Sequence, residues 1–228
     1  MKRSVLFITG TDTGVGKTVL ACWLTRYLCD AGARVAALKP VCSGGREDAR
    51  RLHAAGAGAL TLDEINPWHY RAPVAPRFAA RLEKRRLKPA QVLASVRRIQ
   101  KRFETVLVEG AGGLLSPLGE NFDSRDLILA LRATPVVVCP NRLGAINQIL
   151  LVLEALPRGV AGKAQVVLMS PARSDAARWS NPQVLAERIG RHRIHELPWL
   201  RHPTECGRAL TNRRVRQVMR LLVQALEL

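Results

Sequence analysis

The sequence has no long apolar run. Its most hydrophobic stretches, such as 135–139, are far too short to cross a bilayer, so no membrane-spanning segment is expected. The N-terminus, Met1–Ser4, is basic and precedes an apolar run, as a secretory leader would. That run stops at once in a Gly/Thr loop without a cleavage-like segment, which points to a cytoplasmic protein. Paired cysteines are missing too. Cys22, Cys29, Cys42, Cys139 and Cys206 are odd in number and form no CxxC pair, so neither a disulfide framework nor a zinc site is expected. The five histidines show no metal-ligand spacing, and His192 and His195, near an expected strand, are assigned no role.

Acidic residues are scarce, with 18 Asp and Glu against 36 Lys and Arg, for a formal charge of +18. The excess is mostly arginine, in clusters such as Arg85–Arg86, Arg97–Arg98 and Arg213–Arg214. Such a charge would suit a nucleic-acid partner. Aromatics at 4% supply no base-stacking platform, however, so solvated helix faces and a site for anionic substrates are the preferred reading.

What remains is an ordinary globular composition, 47% hydrophobic over 228 residues, enough for one sizeable core and one domain spanning 1–228. Strand-like and helix-like runs alternate. Val5–Thr9, Arg34–Leu38, Thr105–Val108, Pro135–Cys139 and Gln165–Met169 read as short buried strands. Helices are expected after residue 18 (Leu20, Trp23, Leu24, Tyr27 and Leu28 at helical spacing, Gly32 as stop), and over Pro89–Phe103, Ala145–Leu156 and Asn212–Leu226. The proline-bearing segment Asn66–Pro76 reads as a loop or lid. This alternation predicts an α/β fold: a mostly parallel sheet flanked by helices on both faces, with ligands at the carboxyl ends of the strands.

The polar, glycine-rich clusters fall at those strand ends. Gly10-Thr11-Asp12-Thr13-Gly14-Val15-Gly16-Lys17-Thr18 matches GxxxxGK[ST] between a buried strand and an amphipathic helix, the context that a P-loop requires. Backbone N–H groups of Asp12 through Lys17 would cradle the phosphates of ATP at a helix N-terminus. The Lys17 side chain would reach the terminal phosphates, and the Thr18 hydroxyl would ligate Mg²⁺. Glu109, capping the strand before Gly110-Ala111-Gly112-Gly113, stands where P-loop proteins place a second magnesium-organising carboxylate. Lys39, before Cys42-Ser43-Gly44-Gly45, suits an anionic transition state, and Asp48 or its neighbour Glu47 is a candidate metal carboxylate.

Together these clusters resemble the dethiobiotin synthetase family over nearly the whole chain. The shared stretches are GTDTGVGKT at 10–18, KPVCSG at 39–44, APVAPRFAARLE at 72–83, VLVEGAGG at 106–113, RLGAIN at 142–147 and LPWL at 197–200. The resemblance implies ATP-dependent carboxylation of 7,8-diaminopelargonate with CO₂ and ring closure to dethiobiotin, through a carbamate and a carbamic–phosphoric anhydride. By resemblance, Lys17 and Lys39 stabilise the transferring phosphoryl group, and Thr13 and Ser43 hydrogen-bond the carbamate. Thr18, Asp48 and Glu109 match the family's magnesium positions, and Gly112 faces the substrate. Leu143, Gly144 and Asn147 lie at a helix start that, in the family's homodimer, binds the substrate carboxylate of the other subunit. Three positions depart from the pattern, among them Gln148, which follows Asn147 where histidine is common. Met169 stands where an asparagine usually reads adenine, so tolerance of other triphosphates is expected; Arg77 stands where histidine is common.

Alternative readings are a partitioning-type ATPase switch and a family member that binds nucleotide without turnover. The first usually carries a KGGxxKT loop, whereas here the stretch is Asp12–Thr18. The second is opposed by the intact Lys17, Thr18, Lys39, Ser43 and Glu109. An amide-forming relative would carry an added glutaminase domain, for which this chain has no room.

Overall fold

The computed structural model describes residues 3–173 and 175–228. Its centre is a six-stranded sheet in the order β2-β5-β1-β6-β7-β8, every neighbouring pair parallel. The strands are β1 (Ser4–Gly10), β2 (Val35–Leu38), β5 (Thr105–Glu109), β6 (Thr134–Pro140), β7 (Gln165–Met169) and β8 (Ile194–Leu197). A second, two-stranded parallel sheet pairs β3 (Val41–Ser43) with β4 (Trp68–Tyr70). The helices are α1 (Lys17–Asp30), α2 (Glu47–Ala55), α3 (Leu62–Ile65), α4 (Pro76–Leu82), α5 (Pro89–Gln100), α6 (Ser124–Leu131), α7 (Ala145–Glu154), α8 (Arg158–Ala161), α9 (Ala177–Ile189), α10 (Cys206–Thr211) and α11 (Arg213–Ala225).

Strands buried on both faces need apolar side chains throughout, which explains runs such as Val136-Val137-Val138-Cys139, all fully buried. Helix α1 packs with α2, α10 and α11 along one side of the sheet, while α5 meets α6 and α7 meets α9 elsewhere against it. One large apolar cluster runs from β1, β2 and β5 through α1, α5, α6 and α11; a smaller one lies between β6, β7, α7 and α9. This is the fold class that the sequence predicts.

Helix starts follow local chemistry. Asn212, expected as the first helical residue of the C-terminal helix, instead caps it: its Oδ1 accepts from the N–H groups of Arg214 and Val215 at 3.0 and 3.2 Å. Pro89 opens α5 where no N–H is needed. The expected helices over 89–103 and 145–156 end earlier, at Gln100 and Glu154.

One expectation is corrected. The segment 66–76 is not loop throughout: Trp68–Tyr70 forms β4, with Tyr70 buried. Two flanking prolines mask so short a strand in the sequence. The Trp68 N–H donates to Pro40 O, and the Lys39 N–H donates to Ile65 O, both at 3.0 Å. The small sheet thereby fixes the backbone on both sides of Lys39.

Candidate active site

The carboxyl ends of β1 and β5, with the segment after β2, open into a cavity of about 680 Å³. Its wall includes Thr13, Gly14, Gly16, Lys17, Thr18, Lys39, Ser43, Asp48, Glu109 and Gly112. Thus three clusters separated by up to about 90 residues of sequence converge on one space, as the strand-end rule requires.

The loop between β1 and α1 turns through Gly14 (φ 75°) and Gly16 (φ 105°), conformations that a β-carbon disfavours. Gly16 precedes α1 directly, so the open N–H groups of that helix face the loop's interior. Asp12 closes the loop at its own start, its Oδ1 accepting from the Thr13 N–H at 2.6 Å. Lys17 Nζ reaches back across the loop to Asp12 O at 2.6 Å. Val15, within the motif, points away into the core. Burial depresses the Lys17 ammonium to about 8, with Glu109 opposing that shift and Lys39 adding to it.

Across the cavity stands a charged knot. Lys39 and Glu109 are only 6% and 2% exposed, and Lys39 Nζ donates to Glu109 Oε1 at 2.8 Å. The same ammonium donates to Asp48 Oδ2. Burial alone would lower the Lys39 pKa, but Glu109 and then Asp48 overcome it and hold it well above the usual lysine range. Burial would likewise raise Asp48, yet the Lys39 charge brings it below the usual carboxylate range. The Thr18 hydroxyl donates to Glu109 Oε1 at 2.7 Å, which joins the loop to the knot.

Glu109 Oε2 is buried and has no hydrogen-bond partner among the described residues. An unpartnered carboxylate oxygen is costly to bury, and a bound cation would satisfy it. Thr18, Asp48 and Glu109 supply hard oxygen donors, the type that a small divalent cation prefers, with phosphate oxygens and water completing its shell. Glu47 is turned elsewhere, its carboxylate paired with Arg50 on the outside of α2, whereas Asp48 lines the cavity.

On the substrate side, Gly112 (φ 71°) makes a turn that Ser116 braces, Ser116 Oγ accepting from the Gly113 N–H at 2.9 Å. Ser43 Oγ donates to Val74 O at 2.5 Å, so the segment 73–76 forms the opposite wall. Among the wall residues given no role from the sequence are Cys42, Arg51 and Ser116. Arg51 was findable, because it lies one helical turn beyond Asp48 and faces the same way.

Leu143, Gly144 and Asn147 do not line this cavity. They lie at the start of α7, where Gly144 is left-handed (φ 89°) and Leu143 is 76% exposed. Met169, at the end of β7, lies against the phosphate loop: a β-carbon on Gly16 would come within 3.0 Å of its Cε. Arg77 does not reach the cavity wall either.

A family model described as an AAA domain matches residues 4–205. The ATP-dependent dethiobiotin synthetase BioD of Anaeromyxobacter sp. (strain Fw109-5) is 41% identical over 213 residues, covering 91% of this chain and 96% of that protein. The chain belongs to the dethiobiotin synthetase family. Synthetases of the same name from Akkermansia muciniphila and Bacillus velezensis are 41% and 40% identical over 149 and 153 residues. They span 65% of this chain in each case, and 70% and 66% of their own lengths. Among solved structures, a ParA family ATPase from Chlorobium tepidum TLS has a TM-score of 0.61 at 13% identity, covering 100% of this chain and 98% of that one. That likeness bears on the fold alone.

Proposed function

We propose that this chain, acting as one domain over residues 1–228, is an ATP- and Mg²⁺-dependent dethiobiotin synthase: it carboxylates 7,8-diaminopelargonate with CO₂ and closes the ring. The observation that carries this reading is the convergence of the phosphate loop, the Lys39–Glu109 knot and the Gly112 turn on one cavity, in a chain of this family.

One amine of the substrate adds to CO₂, forming an N–C bond and losing a proton to give a carbamate. A carbamate oxygen then attacks the γ-phosphorus, and the bond to ADP breaks. The second amine attacks the carbonyl of the resulting anhydride; its C–O bond breaks, and phosphate leaves with dethiobiotin as the ring product.

Such a sequence asks the protein for alignment and charge neutralisation rather than covalent work. Lys17, drawn from Asp12 O to phosphate oxygens, and Lys39, facing the same space, neutralise the charge that develops on the transferring group. The loop N–H groups of 12–17 hold the β- and γ-phosphates at the start of α1. Thr18, Asp48 and Glu109 would hold magnesium, which, when bound, neutralises phosphate charge. Thr13 and Ser43 orient the carbamate, and Gly112 lets the backbone approach it. Leu143, Gly144 and Asn147, exposed at the start of α7, serve the cavity of a second copy, which makes the working unit a homodimer in the cytoplasm. A helix N-terminus is a suitable seat for the substrate carboxylate.

The test is to incubate the protein with the diamine, bicarbonate and Mg-ATP and to identify the product by mass spectrometry. Dethiobiotin appearing in step with ADP is the expected result. Phosphate release indifferent to the diamine would favour a switch ATPase instead.

A further inference from the structure

Lys39 stands one residue past the end of β2, beyond the strand pairing that holds Val35–Leu38. Its ammonium nevertheless meets both Glu109 and Asp48, and a long side chain is only as well placed as the backbone that carries it. Both polar groups of that backbone are held by the segment just before β4. The Lys39 N–H donates to Ile65 O at 3.0 Å, and the Lys39 carbonyl accepts from Asn66 Nδ2 at 2.7 Å. The second bond is made by a side chain, across 27 residues of sequence.

Asn66 is 1% exposed and does not line the nucleotide cavity. Its amide is held at both ends. Oδ1 accepts from Arg46 Nε at 3.1 Å and from the Cys42 thiol at 3.3 Å. Arg46 Nη2 holds the surrounding chain as well, donating to Leu62 O at 3.2 Å, Asn66 O at 3.0 Å and Asp63 Oδ1 at 2.8 Å. These donors dictate which way the amide points. Its oxygen must face Arg46 and Cys42, so its NH₂ faces the Lys39 carbonyl; the opposite orientation would set donor against donor and acceptor against acceptor. Arg46 also stands immediately before α2, the helix that carries Asp48. One buried amide therefore ties the backbone of Lys39 to the start of the helix bearing its acidic partner.

We propose that Asn66, gripped by Arg46, is a positioning residue for Lys39: its amide fixes the Lys39 carbonyl and, through it, the direction in which the ammonium enters the cavity. This rests on the reading of Lys39 as a group that neutralises charge on the transferring phosphoryl group. Without the amide donor the Lys39 peptide is free to rotate, and an ammonium on a flexible four-carbon stem moves further than the backbone beneath it. A small displacement of a charge-stabilising group is enough to slow phosphoryl transfer strongly while the phosphate loop goes on binding nucleotide.

The experiment measures ADP release with Mg-ATP, bicarbonate and the diamine for Asn66→Asp, alone and in a Lys39→Ala background. Aspartate keeps the shape and the contact with Arg46 but turns an acceptor toward the Lys39 carbonyl. Asn66→Ser, which is neutral, separates the lost donor from the added charge, and it decides the matter if melting curves show that the aspartate disturbs the fold. Either substitution is expected to lower kcat by about tenfold or more, with KM for Mg-ATP changed less than about threefold. In the Lys39→Ala background the same substitution should lower kcat by less than about twofold, because the side chain through which Asn66 acts is gone. A kcat within about twofold of the unaltered protein would overturn the proposal, as would a loss that recurs in full without Lys39. ADP release reports phosphoryl transfer to any acceptor. ADP formed without dethiobiotin by the unaltered protein would thus contradict the proposed reaction, whereas an unmoved rate in the Asn66 variants would contradict the positioning role.

Discussion

Lys39 and Glu109 share a buried ion pair whose carboxylate oxygen, Oε1, also receives the Thr18 hydroxyl: the two donors lie 2.8 and 2.7 Å away. One atom therefore couples the phosphate loop to the lysine across the cavity. Removing Lys39 breaks that coupling and leaves Glu109 buried without its cation. Lys39→Ala is expected to lower kcat at least about 100-fold, the scale of losing one preorganised charge-stabilising group, while Mg-ATP affinity changes less than about tenfold. Steady-state kinetics beside equilibrium nucleotide binding distinguish the two effects; equal losses would mean that Lys39 acts only in binding.

Lys17 sets a pH dependence. Its pKa in the free protein is about 8, so roughly half the molecules lack the ammonium at that pH, and phosphate binding must restore it. Nucleotide binding near pH 8 should then take up about half a proton, and affinity should weaken by up to about tenfold per unit as pH rises further. Calorimetry in buffers of different ionisation enthalpy measures the uptake. Its absence would mean that Lys17 stays charged throughout.

Gly112 allows no side chain. A β-carbon there would lie 2.4 Å from Ser116 Oγ, in a turn at φ 71°. Gly112→Ala is expected to cost about 1–3 kcal/mol locally and to raise the diamine KM by about tenfold or more. Mg-ATP affinity should stay within a factor of about three, because the added carbon meets the phosphate loop only at an ordinary contact distance, 3.8 Å from Thr13 Oγ1. A selective loss of nucleotide binding would contradict the substrate-facing role.

Met169 offers a thioether, a weak acceptor without a polar hydrogen, beside Gly16. Base choice should be loose, with kcat/KM for CTP and GTP within about tenfold of that for ATP, a spread of about 1.4 kcal/mol. Met169→Asn should widen the gap in favour of ATP. A strong preference for ATP in the unaltered protein would locate base recognition elsewhere.

His195, given no role in the sequence reading, is a stability sensor. It is buried on β8 against Gln165 Oε1 at 2.9 Å, and burial, helped by Arg191, lowers its pKa to about 4. The folded state holds it neutral while the unfolded chain protonates it near 6.5. Stability is therefore lost as pH falls below 6.5, by about 2 kcal/mol at pH 5. Urea titrations of the protein and of His195→Gln between pH 7 and 5 should differ by that slope. Parallel curves would remove His195 from the account.

The parallel sheet and the phosphate loop were readable because their signals are local: short apolar runs ending in glycine, and a motif with its strand and helix attached. Glu109 and Lys39 were readable as strand-end residues, but not their contact, which depends on β2 lying next to β5 and β5 next to β1. Trp68–Tyr70 went unread because three residues between prolines carry too little periodicity. Ser116 was missed for a similar reason: it acts by bracing the Gly113 N–H, a contact that no spacing rule marks.

The central claim, phosphoryl transfer onto a carbamate, is tested most directly by following oxygen. With bicarbonate labelled in ¹⁸O, the bridging oxygen of the anhydride leaves with phosphate when the ring closes. The account predicts one labelled oxygen in each phosphate, formed only when the diamine is present. Unlabelled phosphate accompanying dethiobiotin, or phosphate formed at the same rate without the diamine, would contradict it.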